Sequence, residues 1–173
     1  NNAGITQDQL AMRMKDEEWD AVISTNLTAV ARLSRAVLRG MMKAKHGRII
    51  NITSVVGSAG NPGQMNYAAA KAGVASATMA HAQELAKLGV RVNAVSPGYT
   101  RTQALQAAID RGDRDPSDLM SQAAMGRLVE PHEVAVGVAF LLSPQASAIT
   151  GINLPIDAGW LAGSTWQTYG GVP

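Results

Sequence analysis

The chain has 173 residues, 46% of them hydrophobic and 16% charged, with 15 basic and 13 acidic side chains giving a formal charge of +2. That is one domain's length, too apolar for a disordered polyelectrolyte, and without the basic stripe of a nucleic-acid binder. No apolar run reaches the ~18–20 residues of a membrane span, and with Cys 0 there is neither a disulfide nor a thiolate metal site.

In chain order, residues 1–4 read as a turn at the end of a strand, and residues 5–15 as an irregular or short helical connection. A long helix comes next. Trp19, Val22, Ile23, Asn26, Leu27, Val30, Leu33, Ser34, Val37, Leu38 and Met41 recur at intervals of three and four and draw one apolar stripe. Acidic residues 16–18 open it and Arg39, Lys43 and Lys45 close it, in the sense the helix dipole favours, and Gly47 is expected to stop it.

The β-branched run 48–53 predicts a strand buried on both faces. Residues 54–65, with Gly57, Gly60, Pro62 and Gly63, predict a loop, and the Ala-rich stretch 66–88 a helix ended by Gly89. Residues 90–96 give the next strand, broken by Pro97 and Gly98. Residues 103–125 read as weakly helical around a charged middle, Pro131 opens a helix through Leu142, and residues 152–156 are a last strand before a tail carrying Trp160, Trp166 and Tyr169. Strands alternating with helices of this length predict one α/β domain over 1–173 with a parallel sheet.

Three features could carry chemistry. Tyr67 and Lys71 stand four apart on a predicted helix and so share a face; an ammonium that close favours the phenolate and would draw the tyrosine towards neutrality. Alone the pattern is commonplace. Ser54 falls at the C-terminal end of a predicted central strand, the edge where open α/β sheets bind ligands, and could hydrogen-bond the oxygen that Tyr67 protonates. Asn26 lies on an apolar stripe, where a polar side chain needs a partner; a helix opened there would free a carbonyl for a water leading to Lys71. His46, His81 and His132 have no metal-ligand spacing, so no metal is expected.

Together these residues resemble a classical short-chain dehydrogenase/reductase. The matching pieces are Asn2-Ala3-Gly4, Asn26, Ser54, Tyr67 with Lys71 and Pro97-Gly98 with Thr102, with thirteen residues from Ser54 to Tyr67. Up to about residue 98 the wording also resembles bacterial 3-oxoacyl-[acyl-carrier-protein] reductases, as in M-R-M-K-D-E-E-W and N-Y-A-A-A-K-A-G-V. The resemblance implies a Rossmann-like doubly wound parallel sheet, a cytoplasmic homotetramer, and reduction of a small or carrier-bound carbonyl compound with NADP or NAD. It implies Tyr67 as acid or base, Lys71 tuning it and holding the nicotinamide ribose, Ser54 polarising the carbonyl and Asn26 supporting a relay water. Asn2, Ala3 and Gly4 would line the adenosine-ribose side, and Pro97, Gly98, Thr100 and Thr102 the nicotinamide side.

The family's T-G-x-x-x-G-x-G phosphate turn does not occur in these residues. Gly57, Gly60 and Gly63 are not its substitute, because they separate Ser54 from Tyr67. The resemblance therefore leads to the expectation of a C-terminal two-thirds lacking the first strands, inactive by itself. The charged run 110–115, Asp157-Ala158-Gly159 where two glycines commonly follow the Asp, and the long tail depart from the carrier-protein reductases. They keep a sugar, polyol or other secondary-alcohol dehydrogenase as the alternative, with the tail a packing element or part of a neighbouring subunit's site. A hydrolase built on Ser54 and Lys71 is the rival from another class.

Overall fold

The computed structural model describes residues 1–163. Three parallel strands, β1 (Gly47–Ile52), β2 (Val90–Pro97) and β3 (Asn153–Ile156), lie in the order β1-β2-β3. Gly47 pairs with Val90 through to Ile52 with Val95, and Ala94 with Asn153 through to Pro97 with Ile156. All three strands therefore end at one rim. Central β2 is buried along its length except at Pro97, as a strand covered on both faces is, and its buried Arg91 and Asn93 donate to the Ser143 and Ile149 carbonyls.

The helices are α1 (Asp16–Ile23), α2 (Ala29–Ala44), α3 (Val56–Ala59), α4 (Met65–Leu85), α5 (Gln103–Asp110), α6 (Pro116–Ser121) and α7 (Pro131–Leu142). Successive strand side chains point to opposite faces. Ile49, Val90 and Val92 pack with Ala82 and Leu85 of α4 and Leu38 and Met41 of α2. Ile50 and Val95 pack on the other face with Leu141, Val134 and Val138 of α7. Helices on both faces of a parallel sheet make the fold doubly wound and Rossmann-like.

Several local expectations are corrected. The long helix is interrupted by a π-helical turn at Ser24–Thr28, where the Ala29 N–H reaches the Ser24 carbonyl. The extra residue in that turn rotates the helix beyond it. Val22, Asn26, Val30 and Ser34 are buried, whereas Leu33 and Val37 of the predicted stripe are 56% and 44% exposed. Lys45, left-handed at φ 49°, ends the helix in place of Gly47, which begins β1. The 54–65 loop contains α3, and residues 103–125 divide into α5 and α6 around the turn at 111–115. Asn1 is part of a ladder rather than a turn: its backbone nitrogen donates to the Ile50 carbonyl at 2.9 Å and its carbonyl accepts from Ile52 N–H at 2.9 Å. Trp166 and Tyr169 lie outside the described residues.

The rim is tight. A Cβ at Gly98 would stand 2.8 Å from Asp157 Cα, so β2 can leave the sheet beside the end of β3 only without a side chain there. Just beyond, Ala158 holds φ 52°, a left-handed conformation that costs an L-residue roughly 1–2 kcal/mol. Ala158→Gly is expected to raise unfolding free energy by about 0.5–1 kcal/mol after the added entropy of the unfolded glycine, as read by urea denaturation of the full chain.

Candidate active site

Strand pairing continues past β1, with Thr53 N–H on the Val95 carbonyl at 2.8 Å and Val55 N–H on the Pro97 carbonyl at 3.1 Å. This fixes Ser54 on the sheet rim. Val56 N–H donates to Ser54 Oγ at 3.2 Å, and the Ser54 hydroxyl lies near enough to the Tyr67 phenol to lower its proton affinity. Helix α3 then presses onto α4: a Cβ at Gly57 would meet Ala72 N at 2.9 Å. Here glycine serves close helix packing, consistent with setting aside the phosphate-turn reading of this loop.

Lys71 is 4% exposed and donates from Nζ to the Ile52 carbonyl at 2.7 Å. Its ammonium sits over the Tyr67 ring, 5.6 Å from the centroid. Burial pulls Lys71 down from 10.5 to about 8. Tyr67 moves against the sequence expectation: burial raises it above the ordinary tyrosine value, the Ser54 hydrogen bond offsets part of that, and the Asp8 carboxylate raises it further. With its ammonium directed at a backbone carbonyl, Lys71 does not make the phenol acidic in this state. The desolvated phenol holds its proton.

Asn26 is fully buried on the π-helical turn. Its Oδ1 accepts from Ile5 N–H at 2.8 Å and its Nδ2 donates to the Ile5 carbonyl at 2.8 Å. Both ends of the amide are engaged, which answers why a polar residue lies on the stripe. The clamp holds residues 4–5 beside Lys71: a Cβ on Gly4 would lie 3.4 Å from Asn26 Oδ1 and 3.8 Å from Lys71 Nζ.

A cleft of about 500 Å³ opens on the rim, lined among others by Asn2, Ser54, Tyr67, Pro97, Gly98 and Tyr99. Thr100 and Thr102 also border it. Thr100 Oγ1 donates to the Gly98 carbonyl at 3.0 Å, and Thr102 Oγ1 caps α5 by accepting from Leu105 N–H at 3.2 Å. Gly4, Asn26 and Lys71 group together outside the cleft lining, and Ala3 is exposed beside Asn2. Lys71 Nζ donates to the Ile52 carbonyl rather than to Ser54, whose Oγ accepts from Val56 N–H, an arrangement that does not make a serine–lysine nucleophile.

Sequence reasoning missed three groups. Asn66, fully buried, donates to the Gln7 and Glu18 carbonyls at 3.1 and 3.3 Å and accepts from Tyr67 N–H at 2.7 Å, fixing the turn that carries Tyr67. Tyr99 lines the cleft and packs edge-on to Trp160 at 6.3 Å. Asp8 accepts from Gln64 and reaches Tyr67 through its charge. Only Asn66 carried a sequence signal, as a polar residue on the buried side of an Ala-rich helix. No group of His, Cys, Asp and Glu among the described residues could hold a metal, and no helix among them is long and apolar enough to cross a membrane.

Known proteins share both this sequence and this geometry. A family model described as Enoyl-(Acyl carrier protein) reductase matches residues 1–161. The 3-oxoacyl-[acyl-carrier-protein] reductase FabG of Vibrio cholerae is 54% identical over 159 residues, 92% of this chain and 64% of that protein. The FabG of Escherichia coli (strain K12) is 51% identical over the same shares. The chain thus spans just under two-thirds of these relatives' length. Among solved structures, one described as ribose-5-phosphate isomerase from Brucella melitensis 16M superposes with TM-score 0.93 at 40% identity, over 100% of this chain and 67% of that one. ElxO with NADP bound superposes with TM-score 0.90 at 34% identity, over 94% and 66%.

The buried lysine gives a direct check. With lysine amines carrying 13C-methyl labels, the Lys71 signal is expected to titrate near pH 8 by NMR; a Lys71 signal that titrates at the ordinary lysine value would contradict its burial.

Proposed function

The chain belongs to the short-chain dehydrogenase/reductase family, and from that premise we propose that the protein containing it is an NADP-dependent oxidoreductase that reduces a 3-oxoacyl thioester, carrier-bound or small, to the secondary alcohol. The observation carrying this reading is that Ser54 and Tyr67 line the same cleft, with the serine lowering the phenol's proton affinity. It aims two hydroxyls at one place where a carbonyl oxygen can lie. FabG relatives at 51–54% identity support the acyl substrate, and the NADP in ElxO supports the cofactor, with NAD the other possibility.

The residues fit that cofactor. A lysine ammonium has three hydrogens; Lys71 places one on the Ile52 carbonyl, leaving the others for the hydroxyls of a ribose. The bare Gly4 Cα beside Nζ leaves room for the sugar to approach. When bound, the nicotinamide supplies the hydride. Ser54 orients the carbonyl by hydrogen bonding to its oxygen, and Tyr67, which retains its proton in the desolvated site, delivers it to the same oxygen. Asn26 holds residues 4–5 in place, and Asn2, Ala3, Gly4, Pro97, Gly98, Thr100 and Thr102 form the cofactor's side of the cleft. We read the assembly as a cytoplasmic homotetramer. Leu33 and Val37 of α2 and Met79 of α4, 56%, 44% and 49% exposed, support apolar contact with further copies, and the lack of cysteine fits a reducing compartment.

A sugar or polyol dehydrogenase is the second reading, favoured by the aromatic wall of Tyr99 and Trp160. Isomerisation of a sugar phosphate lacks support from the site: among the described residues the cleft lining contains no carboxylate or imidazole to carry a proton between neighbouring carbons. The whole protein containing this chain is expected to oxidise NADPH with acetoacetyl thioester faster than with polyols or ribose-5-phosphate. Tyr67→Phe should lower kcat by about 10²–10⁴-fold while NADPH binding persists. Faster turnover of a polyol would install the second reading, and undiminished kcat in Tyr67→Phe would overturn both.

A further inference from the structure

Asp8 lies outside the residues the sequence singles out. Gln64 Nε2 approaches both its carboxylate oxygens, at 3.1 and 3.0 Å, and Gln64 Oε1 in turn accepts from Asn61 Nδ2 at 2.9 Å. Gln9 N–H donates to the Gly63 carbonyl at 2.8 Å, so the backbone joins the 5–9 segment to the same loop. From the other side Arg114, in the turn between α5 and α6, brings a guanidinium nitrogen to 3.7 Å from Asp8 Oδ2. The other ion pairs among the described residues stay within residues 101–133. This one joins the 5–9 segment to the α5–α6 arm; Gln64, Tyr67, Thr102 and Leu105 line the cleft, and Asp8 and Arg114 lie outside its lining.

We propose that Asp8 is a positioning residue of the cleft, acting through Gln64 on the wall that carries Tyr67 and through Arg114 on the α5–α6 arm. One carboxylate then sets both how closely the arm lies over the site and how much negative charge faces the phenol. The inference rests on the reading of Tyr67 as proton donor.

Among the described residues, charged groups reach the helix of Tyr67 from few elements, α1 among them with Asp16, Glu17, Glu18 and Asp20. Lys71 comes from its own helix, Asp8 from the 5–9 segment, and Arg114 from behind Asp8. The β1 end contributes the Ser54 hydroxyl, the 98–102 loop contributes hydroxyls and the Tyr99 phenol, and α3 has no charged residue. Arg101 is occupied by Glu130, and the Glu18 carboxylate by Lys15 N–H. Asp8 raises the proton affinity of Tyr67, and by Coulomb's law a guanidinium paired with that carboxylate would oppose the effect. Opening the arm therefore leaves Asp8 uncompensated and strengthens the phenol's hold on its proton; closing it relaxes that hold. Because both partners are partly exposed, at 51% and 37%, the latch is weak and sensitive to salt.

The test uses the full chain with Asp8→Asn and Arg114→Gln, each paired with a Tyr67→Phe version so that the Tyr67 absorbance titration is isolated by difference. Asp8→Asn is expected to move the Tyr67 titration to lower pH and Arg114→Gln to higher pH. In both, amide hydrogen exchange at residues 111–115 should rise about two- to fivefold, and high salt should produce the same rise in the unmutated protein only. A loss of structure alone would move both titrations the same way. Unchanged titrations, shifts of the same sign, or unchanged exchange would overturn the proposal. Opposed shifts in a protein that reduces no carbonyl compound would uphold the latch and refute the redox reading; carbonyl reduction without the shifts would do the reverse.

Discussion

The bond from Lys71 Nζ to the Ile52 carbonyl, 2.7 Å long and almost wholly buried, ties the helix carrying the candidate acid to the strand that ends in Ser54. An ammonium removed from water is costly unless it is hydrogen-bonded, and here it is met by a carbonyl at the end of β1. With α4 anchored to that strand end, Tyr67, one helical turn earlier, faces Ser54. Asn66 fixes the turn from the outside, and the close approach of α3 at Gly57 fixes it from the side.

The electrostatics have their origin in the same burial. Desolvation acts oppositely on the two neighbours, discouraging charge on both: it lowers Lys71 and raises Tyr67. The pair is thus poised as a neutral phenol beside an ammonium that gives up its proton near pH 8. A neutral phenol suits an acid acting on a carbonyl oxygen, the direction of reduction.

Much of this was legible in the sequence because it rests on local patterns. The β-branched run around Ile49 and Ile50, the Ala-rich helix and the proline opening α7 each specify an element by propensity and period. Ser54, Tyr67 and Lys71 were legible because strand end, loop length and helical spacing together bring them to one rim. The π-helical turn was not, because a one-residue insertion leaves the apolar spacing nearly intact while turning Leu33 and Val37 outward. Asn26 gave the hint, as a polar residue on an apolar stripe. The direction of the Tyr67 shift was also hidden: spacing gives the nearness of a charge but not the desolvation that outweighs it. Asp8 and Arg114 meet only through the tertiary fold, across more than a hundred residues.

The role of Tyr67 as the group that gives up the proton is tested most directly by single-turnover reduction of a 3-oxoacyl thioester, monitored by loss of NADPH absorbance in H2O and in D2O. Proton delivery by the buried phenol predicts slower reduction in D2O, by about two- to fourfold as an order-of-magnitude expectation for general-acid catalysis, with the difference abolished in Tyr67→Phe. Equal rates in the two solvents, or an isotope effect that survives in Tyr67→Phe, would contradict it.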